Sequence, residues 1–178
     1  MTDPAARTPS TARDGRLSYA VFQLARAHRG YASAMLRDMK LHPGQELLLM
    51  QLFDRDGQSQ SELLESVGLD HSTVSKSLRR MQEAGLVSRE PAEHDRRVMV
   101  VRLTDEGRAM KKPITAMWQT LEESSVLDLT PDDIEAFISI AYKIEQAVRE
   151  RDHPDRRSDG PTGDGDGLVS RGAGNGRR

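Results

Sequence analysis

The chain has 178 residues, of which 36% are hydrophobic and 30% charged, and its formal net charge is -2. This length suits one domain of ordinary size, and the modest hydrophobic content favours a core that two subunits share. The absence of cysteine excludes disulfides, thiolate metal sites, cysteine nucleophiles and thiol-based redox sensing. No apolar run is long enough for a membrane span and the N-terminus has no apolar leader, so we expect a cytoplasmic protein.

The charged residues are unevenly distributed along the chain. Residues 71–82 contain no acid but include Lys76, Arg79 and Arg80, whereas acidic residues collect between 122 and 133. A basic segment in an otherwise acidic chain would draw a polyanion such as DNA to one face of the protein.

The first predicted helix follows an N-terminal arm. Residues 1–15 have no hydrophobic periodicity and are predicted to be disordered. Apolar residues then recur at the helical period from Leu17 to Met35, which predicts a long amphipathic helix. Pro43 suits the first turn of a second helix, which Gly57 would end.

Two shorter helices are predicted next. Ser59 and Glu62 have the spacing of a capping box, in which each side chain accepts the other residue's backbone N–H, and Gly68 would close this third helix. Asp70 is a suitable N-cap for a fourth helix that continues to about residue 84, with Gly85 as its C-terminal stop.

A hairpin and a further helix follow. The β-rich stretches 86–89 and 98–103 predict two strands, joined by the polar residues 91–97. Thr104 would then cap a helix that Pro113 kinks, because proline removes one hydrogen bond from the helical ladder.

The last predicted helix begins at Thr130 and Pro131, an N-cap followed by a first-turn proline, and its apolar stripe runs from Ile134 to Val148. Residues 151–178, rich in glycine, arginine and aspartate, are predicted to be a disordered tail without a metal site.

The fourth helix has the composition of a DNA-recognition helix. Val74, Leu78 and Met81 share one face and are predicted to point inward. The opposite face suits hydroxyl contacts to bases and phosphates, and basic contacts to guanine or the backbone. Its candidate contact residues are Ser72, Thr73, Ser75, Lys76 and Arg79. On periodicity alone, an ordinary amphipathic surface helix is an equal alternative.

The hairpin favours the DNA-binding alternative. Its tip carries Arg96 and Arg97, and guanidinium groups suit the narrow minor groove with its negative potential. Asp95 lies two residues before Arg97, so its carboxylate is predicted to hold an arginine side chain by paired hydrogen bonds.

These elements predict a mainly α-helical fold with a minor β component. A winged helix-turn-helix DNA-binding domain is expected at residues 42–103. Long terminal helices, in residues 16–41 and 104–150, are expected to form a dimerisation region, since their apolar stripes need a partner.

The chain closely resembles the MarR (multiple antibiotic resistance regulator) family of transcription factors over the run HSTVSKSLRRMQEAGLVSREPAEHDRRVMVVRLTDEG. The match rests on the basic helix ending EAGLVSRE, the Asp-x-Arg wing and the strand leading into LTDEG. A looser resemblance extends from Leu17 to Val148.

This resemblance implies a triangular homodimer in which the first, fifth and sixth helices intertwine. Each winged domain would read one half-site of a palindromic operator in double-stranded DNA. Arg97 is implied to be the minor-groove arginine, with Asp95 as its support and Arg96 less constrained. The implied function is that of a ligand-responsive repressor, and an activator is the alternative.

Family members typically bind a small aromatic or phenolic effector between the dimer helices and the DNA-binding domain. The candidate pocket residues in this chain are His28, Tyr31, Met35, Phe53 and Trp118. The alternative is that these side chains form core or interface packing.

No catalytic site is predicted. The five histidines are scattered without ligand spacing, and no Gly-rich phosphate loop follows a strand, so we expect no enzyme activity, metal or cofactor. A winged-helix module that binds protein instead of DNA stays open as an alternative.

Overall fold

The computed structural model describes residues 8–152. In these residues, seven α-helices and a three-stranded antiparallel sheet form the mainly helical winged helix-turn-helix fold that the sequence predicts. The helices are α1 (Arg16–Asp38), α2 (Gln45–Asp54), α3 (Gln60–Val67), α4 (His71–Glu83), α5 (Asp105–Ala109), α6 (Lys111–Ser125) and α7 (Pro131–Asp152). The strands are β1 (Gln58–Ser59), β2 (Val87–Pro91) and β3 (Met99–Leu103).

The two predicted disordered ends fall largely outside the described residues. Residues 1–7 of the predicted arm and residues 153–178 of the predicted tail are not described. Within the remainder of the arm, Ser10–Gly15 form a short 3-10 helix that leads into α1, where the sequence predicts no regular structure.

The chain divides into two compact units after Leu127. The first unit contains α1 to α6 and the sheet, and the second contains α7. Thr130 caps α7 as predicted, because the Asp133 N–H donates to its hydroxyl at 3.2 Å and its own N–H donates to the Asp133 carboxylate at 3.0 Å.

The sheet has the order β1, β3, β2. β2 and β3 pair from Val87 opposite Leu103 to Pro91 opposite Met99, which confirms the predicted hairpin. β1 is an additional strand, which pairs with the other edge of β3. It escapes prediction because a two-residue strand has no alternation to recognise.

The core of the first unit draws on its helices and on both hairpin strands. Its most deeply buried side chains are Leu36, Leu48, Leu49, Leu52, Leu63, Val74, Leu78, Met81, Val87, Val101, Ile114 and Leu121. Because each buried leucine or valine contributes roughly 1.5–3 kcal/mol, these contacts dominate the stability of the helix-turn-helix and its hairpin.

The predicted capping box of α3 is present. The Glu62 N–H donates to the Ser59 hydroxyl at 3.2 Å, and the Ser59 N–H donates to the Glu62 carboxylate at 2.7 Å. That N–H, together with the Arg55 guanidinium 2.8 Å away, lowers the pKa of Glu62 from 4.5 to about 2. The helix ends at Val67, before Gly68 as predicted.

Gly85 ends α4 as predicted. Its φ of 72° lies in the left-handed region, which glycine adopts without a steric penalty. The Gly85 N–H donates to the Gln82 carbonyl at 3.0 Å and the Leu86 N–H donates to the Met81 carbonyl at 2.9 Å. These two bonds form a Schellman motif, which turns the chain directly into β2.

The start of α2 differs from the prediction. The helix begins at Gln45, so Pro43 lies before it rather than in its first turn. Side chains of the first helical turn hold this entry, because the Gln45 amide oxygen accepts the His42 N–H at 2.8 Å and the Glu46 carboxylate accepts the Gly44 N–H at 2.7 Å.

The single kinked helix predicted after Thr104 is two helices. Thr104 caps α5 by accepting the Gly107 N–H at 3.0 Å, but α5 ends at Ala109 and α6 begins after Met110. Pro113 explains the break, because proline cannot donate to the carbonyl four residues earlier, that of Ala109, and its ring crowds that carbonyl.

The carboxylate of Asp56 connects the turn after α2 to the end of the hairpin. One oxygen accepts the N–H groups of Gly57 and Leu103, each at 2.9 Å, and the other pairs with the Arg108 guanidinium at 2.8 Å. Partial burial raises the pKa of Asp56, but these bonds outweigh it and the pKa is lowered.

Gly107 allows α5 to pack directly against the backbone that precedes β2. A Cβ at this position would overlap the Leu86 carbonyl oxygen, whereas a Cβ at Gly30 in α1 would have no neighbour within 4 Å. We expect Gly107→Ala to lower the free energy of unfolding by about 1–3 kcal/mol, because the overlap forces a backbone shift.

Gly30→Ala is the matched control, and it should be neutral or stabilising by up to about 1 kcal/mol, because alanine favours a helix interior. Urea unfolding followed by circular dichroism, at one protein concentration, measures both variants. Equal stability of the two variants would contradict the packing role of Gly107.

Candidate nucleic-acid interface

The N-cap of α4 also engages the first hydroxyl side chains of the helix. The Asp70 carboxylate accepts the Thr73 N–H at 2.9 Å, the Thr73 hydroxyl at 2.6 Å and the Ser72 hydroxyl at 2.7 Å. The two hydroxyls and then the Thr73 N–H hold the pKa of Asp70 well below its usual value. Because both hydroxyl protons point to Asp70, Ser72 and Thr73 offer lone pairs to a ligand.

The apolar face of α4 is completely buried. Val74, Leu78 and Met81 are each 0% exposed, which confirms their predicted inward direction. Ser77, which lies beside Leu78, is buried with them. The packing of this face therefore determines the rotation of α4 about its axis and leaves Lys76 and Arg79 on the outward side.

Two basic side chains on that outward face are exposed. Lys76 and Arg79 are open to solvent, while Ser75 is half-buried. The Arg79 guanidinium lies 3.7 Å from the Glu83 carboxylate. An exposed ion pair of this kind is worth little, so Arg79 can exchange Glu83 for another anion at small cost.

The wing turn is held by a contact other than the predicted one. The Asp95 carboxylate accepts the backbone N–H of Arg97 at 2.9 Å, and the Val98 N–H donates to the Asp95 carbonyl at 3.0 Å. Asp95 thus fixes the backbone of the turn rather than a guanidinium, because the N–H two residues on is the nearest donor to an aspartate in a turn. Arg96 and Arg97 are exposed, and neither forms an ion pair within residues 8–152.

A cavity of about 270 Å³ brings the wing together with the start of both helices of the helix-turn-helix. Its lining residues are Ser59, Gln60, Ser61, His71, Arg97, Val98 and Met99. Gln60, Ser61 and His71 were not predicted as site residues, because each is an ordinary helix-start residue until the hairpin folds back beside it.

Arg89 links the hairpin to this same region. Its guanidinium donates to the Gln60 amide oxygen at 3.0 Å, which joins β2 to the first residue of α3. Its Nε is buried and has no hydrogen-bond partner within residues 8–152. The half-buried Arg89 side chain therefore contacts the protein itself and does not extend toward a ligand. Its contact with Gln60 positions the wing.

A second surface feature is an open groove of about 670 Å³, which we call the α2–α6 groove. Its lining residues are Met50, Phe53, Asp54, Lys111, Ile114, Thr115, Trp118, Gln119, Glu122 and Glu123. The Trp118 indole N–H points to the Met50 sulfur at 3.1 Å, and the Lys111 ammonium lies 6.0 Å from the centre of the Phe53 ring.

Two of the five predicted effector residues, Phe53 and Trp118, line this groove and the other three do not. His28 is exposed on α1, and Met35 packs against the core. The Tyr31 hydroxyl lies 3.3 Å from the hydroxyl of Ser124. Tyr31 and Met35 lie on α1, whereas the groove forms where α6 packs against α2. For this reason residues chosen by their spacing on α1 do not line it.

None of the helices between residues 8 and 152 is both long and apolar enough to cross a membrane. The same residues contain no group of three or more histidine or acidic side chains that could hold a metal ion.

Residues 41–99, which include α2 to β2 and the wing turn, match the family model of the MarR family. The HTH-type transcriptional regulator YdgJ of Bacillus subtilis is 41% identical over 61 residues, which cover 34% of this chain and 37% of that protein. The alignment therefore spans little more than a third of this relative.

Two solved structures share the fold over most of the described chain. One is a mutant MarR from E. coli complexed with operator DNA, with a TM-score of 0.70 and 19% identity over 77% of this chain and 99% of that chain. The other is BpsR of Bordetella bronchiseptica, whose DNA binding is regulated by 6-hydroxynicotinic acid, with a TM-score of 0.67 and 22% identity over 72% of this chain and 91% of that chain. These relatives are transcriptional regulators and not enzymes.

The cap of α4 makes a testable contribution to stability. Because the folded pKa of Asp70 lies below its unfolded pKa of about 3.9, the ionised cap stabilises the folded state above that pH, and the stabilisation is lost as the pH falls toward the folded pKa. We expect Asp70→Ala to lower the melting temperature at pH 7, and the difference from the native chain to shrink between pH 5 and pH 3.

The control is Glu65→Ala, which removes an exposed carboxylate of α3 that forms no ion pair or hydrogen bond within residues 8–152. Its melting temperature should stay close to that of the native chain at each pH. A difference for Asp70→Ala that stays constant down to pH 3 would contradict the role of the ionised cap.

Proposed function

Because residues 41–99 match the MarR family, we propose that the chain is a repressor of this family that binds an inverted-repeat operator as a homodimer. We also propose that a small-molecule effector controls this binding. Duplex DNA and a second copy of the chain are the partners in this proposal, and the chemistry is recognition without catalysis.

The observation that carries the proposal is the position of Arg97 beside His71, the first residue of α4, at the 270 Å³ cavity. A recognition helix fits the major groove and an arginine suits the adjacent minor groove. One protomer can therefore contact both grooves of a single half-site.

Each predicted contact residue has a role in this arrangement. Arg96 and Arg97 extend from the wing, whose backbone Asp95 holds. On α4, the contacts to the major groove and its phosphates come from Ser72, Thr73, Ser75, Lys76 and Arg79. Because Ser72 and Thr73 donate to Asp70, they accept from base amino groups, while the basic side chains pair with phosphates or guanine.

Exposed apolar side chains support the homodimer. On α1, Leu17, Phe22 and Leu24 are 50–62% exposed. On α7, the exposed apolar residues are Phe137, Ile138, Ile140, Tyr142 and Val148, at 42–68%. A second copy of the chain would remove these surfaces from water, and its two-fold symmetry would match an inverted repeat.

The α2–α6 groove is the proposed effector site. Ile114 lines the groove and is also part of the core that contains Val74 and Leu78 of α4. A ligand that binds one position of α6 more tightly than another would favour that position. The shared core would then transmit the displacement of α6 to α4. Half-site spacing would then no longer match the operator.

The DNA-binding test begins by selecting a sequence from random duplexes with the full-length protein, which should enrich an inverted repeat. Against this repeat, Arg97→Ala and Lys76→Ala should each weaken binding about tenfold or more. If Lys76 contacts a phosphate, its variant should also reduce the slope of log K against log salt by about one unit. Fluorescence anisotropy measures both quantities.

The control is Lys112→Ala, which removes an exposed basic residue of α6 that lies in neither cavity. Its affinity should match that of the native chain. Failure to enrich any duplex would contradict DNA binding and favour a protein-binding module. Higher, rather than lower, reporter expression from a promoter carrying the repeat would indicate an activator.

The dimer test uses the apolar face of α7. Ile138→Asp should convert the native dimer to monomer in sedimentation velocity, because a charge would be buried at the interface at high cost. Ser139→Asp adds the same charge to the opposite face and should remain dimeric. A monomeric native chain at micromolar concentration, or a dimeric Ile138→Asp variant, would contradict this interface.

A further inference from the structure

The charges of the α2–α6 groove are divided between its two ends. Along α6, Lys111 lies at one end and Glu122 and Glu123 lie at the other, with Trp118 between them. Eleven residues at 1.5 Å each place Lys111 and Glu122 about 16 Å apart along the helix axis. The groove is therefore apolar in the middle and strongly acidic at the C-terminal end of α6.

Carboxylates outnumber the cation in this groove. The groove lining includes three carboxylates, those of Asp54, Glu122 and Glu123, and a single ammonium, that of Lys111. None of these four side chains forms an ion pair within residues 8–152. The last carbonyls of α6, which ends at Ser125, add the negative end of the helix dipole to the same side.

The aromatic residues strengthen the preference for positive charge. Trp118 precedes Glu122 by four residues, so the two side chains lie on one face of α6 about one turn apart. A cation between them would contact both a carboxylate and an indole, which is the best aromatic partner for a cation. The Lys111 ammonium already makes a contact of this cation–aromatic kind, 6.0 Å from the centre of the Phe53 ring.

We propose that the effector of the α2–α6 groove is an amphipathic organic cation: an ammonium head beside Trp118, Glu122 and Glu123, with an aromatic or aliphatic body over Met50, Phe53 and Ile114. An aromatic acid would meet three carboxylates and only one ammonium. This inference rests on the proposed regulatory function for its biological meaning, but its physical basis is the charge of the groove alone.

The chain offers a direct reporter, because Trp118 is its only tryptophan. Three probes share one aromatic body: phenethyltrimethylammonium, 2-phenylethanol and 3-phenylpropionate. Titrated into the full-length protein without DNA, the cation should shift Trp118 emission with at least tenfold higher affinity than the acid, with the alcohol between them. Equal or tighter binding of the acid, or no response to the cation, would overturn the proposal.

Substitutions separate charge from shape. The double variant Glu122→Gln and Glu123→Gln should weaken cation binding about tenfold, since two partly exposed ion pairs are lost, and leave the alcohol unchanged. Glu106→Gln in α5, outside the groove, is the control and should bind the cation like the native chain. Undiminished cation binding by the double variant would overturn the placement of the ammonium head.

The outcomes for the ligand and for DNA are separable. If the protein binds its selected repeat but prefers the acid, the cation inference fails and the proposed regulator stands. If the cation binds but no duplex is selected, the regulator proposal fails and the groove assignment stands. With both in place, the cation should lower the affinity for the repeat in native protein and less so in the double variant.

Discussion

Complete burial of one face of α4 is the constraint on which the rest of this protein depends. Val74, Leu78 and Met81 leave no freedom to rotate the helix, because turning it would expose apolar surface worth several kcal/mol. The same packing directs Lys76 and Arg79 outward. The direction of the outward face of α4 is thus a consequence of core packing. The polar residues on that face need only be compatible with this packing.

The hairpin is held to the helices by a few polar contacts with distinct roles. Asp56 ties the end of β3 to the turn after α2 and to α5, and Arg89 ties β2 to Gln60. Gly107 permits the close approach of α5 to the backbone before β2. Together these contacts place Arg97 beside the start of α4, which is the arrangement on which the proposed contact with two grooves of a duplex depends.

Charges of opposite sign lie on two different surfaces of the first unit. The exposed basic residues of α4 and the wing face the proposed DNA, while the α2–α6 groove carries three carboxylates against one lysine. The proposed duplex and the proposed cationic effector therefore have sites of opposite charge. The two surfaces share a common core, since Ile114 borders the groove and packs in the same cluster as Val74.

The sequence by itself determined several features governed by local chemistry: the caps at Ser59, Asp70 and Thr104, the stop at Gly85, and the inward face of α4. Such signals act within a few residues, through one hydrogen bond or one turn of periodicity. Only the tertiary structure decided what lies together across the chain. It paired β1 with β3, brought His71 beside Arg97, and drew Phe53 and Trp118, but not His28, Tyr31 or Met35, into one groove. These outcomes depend on competition between packing partners distant in sequence, which no local pattern encodes.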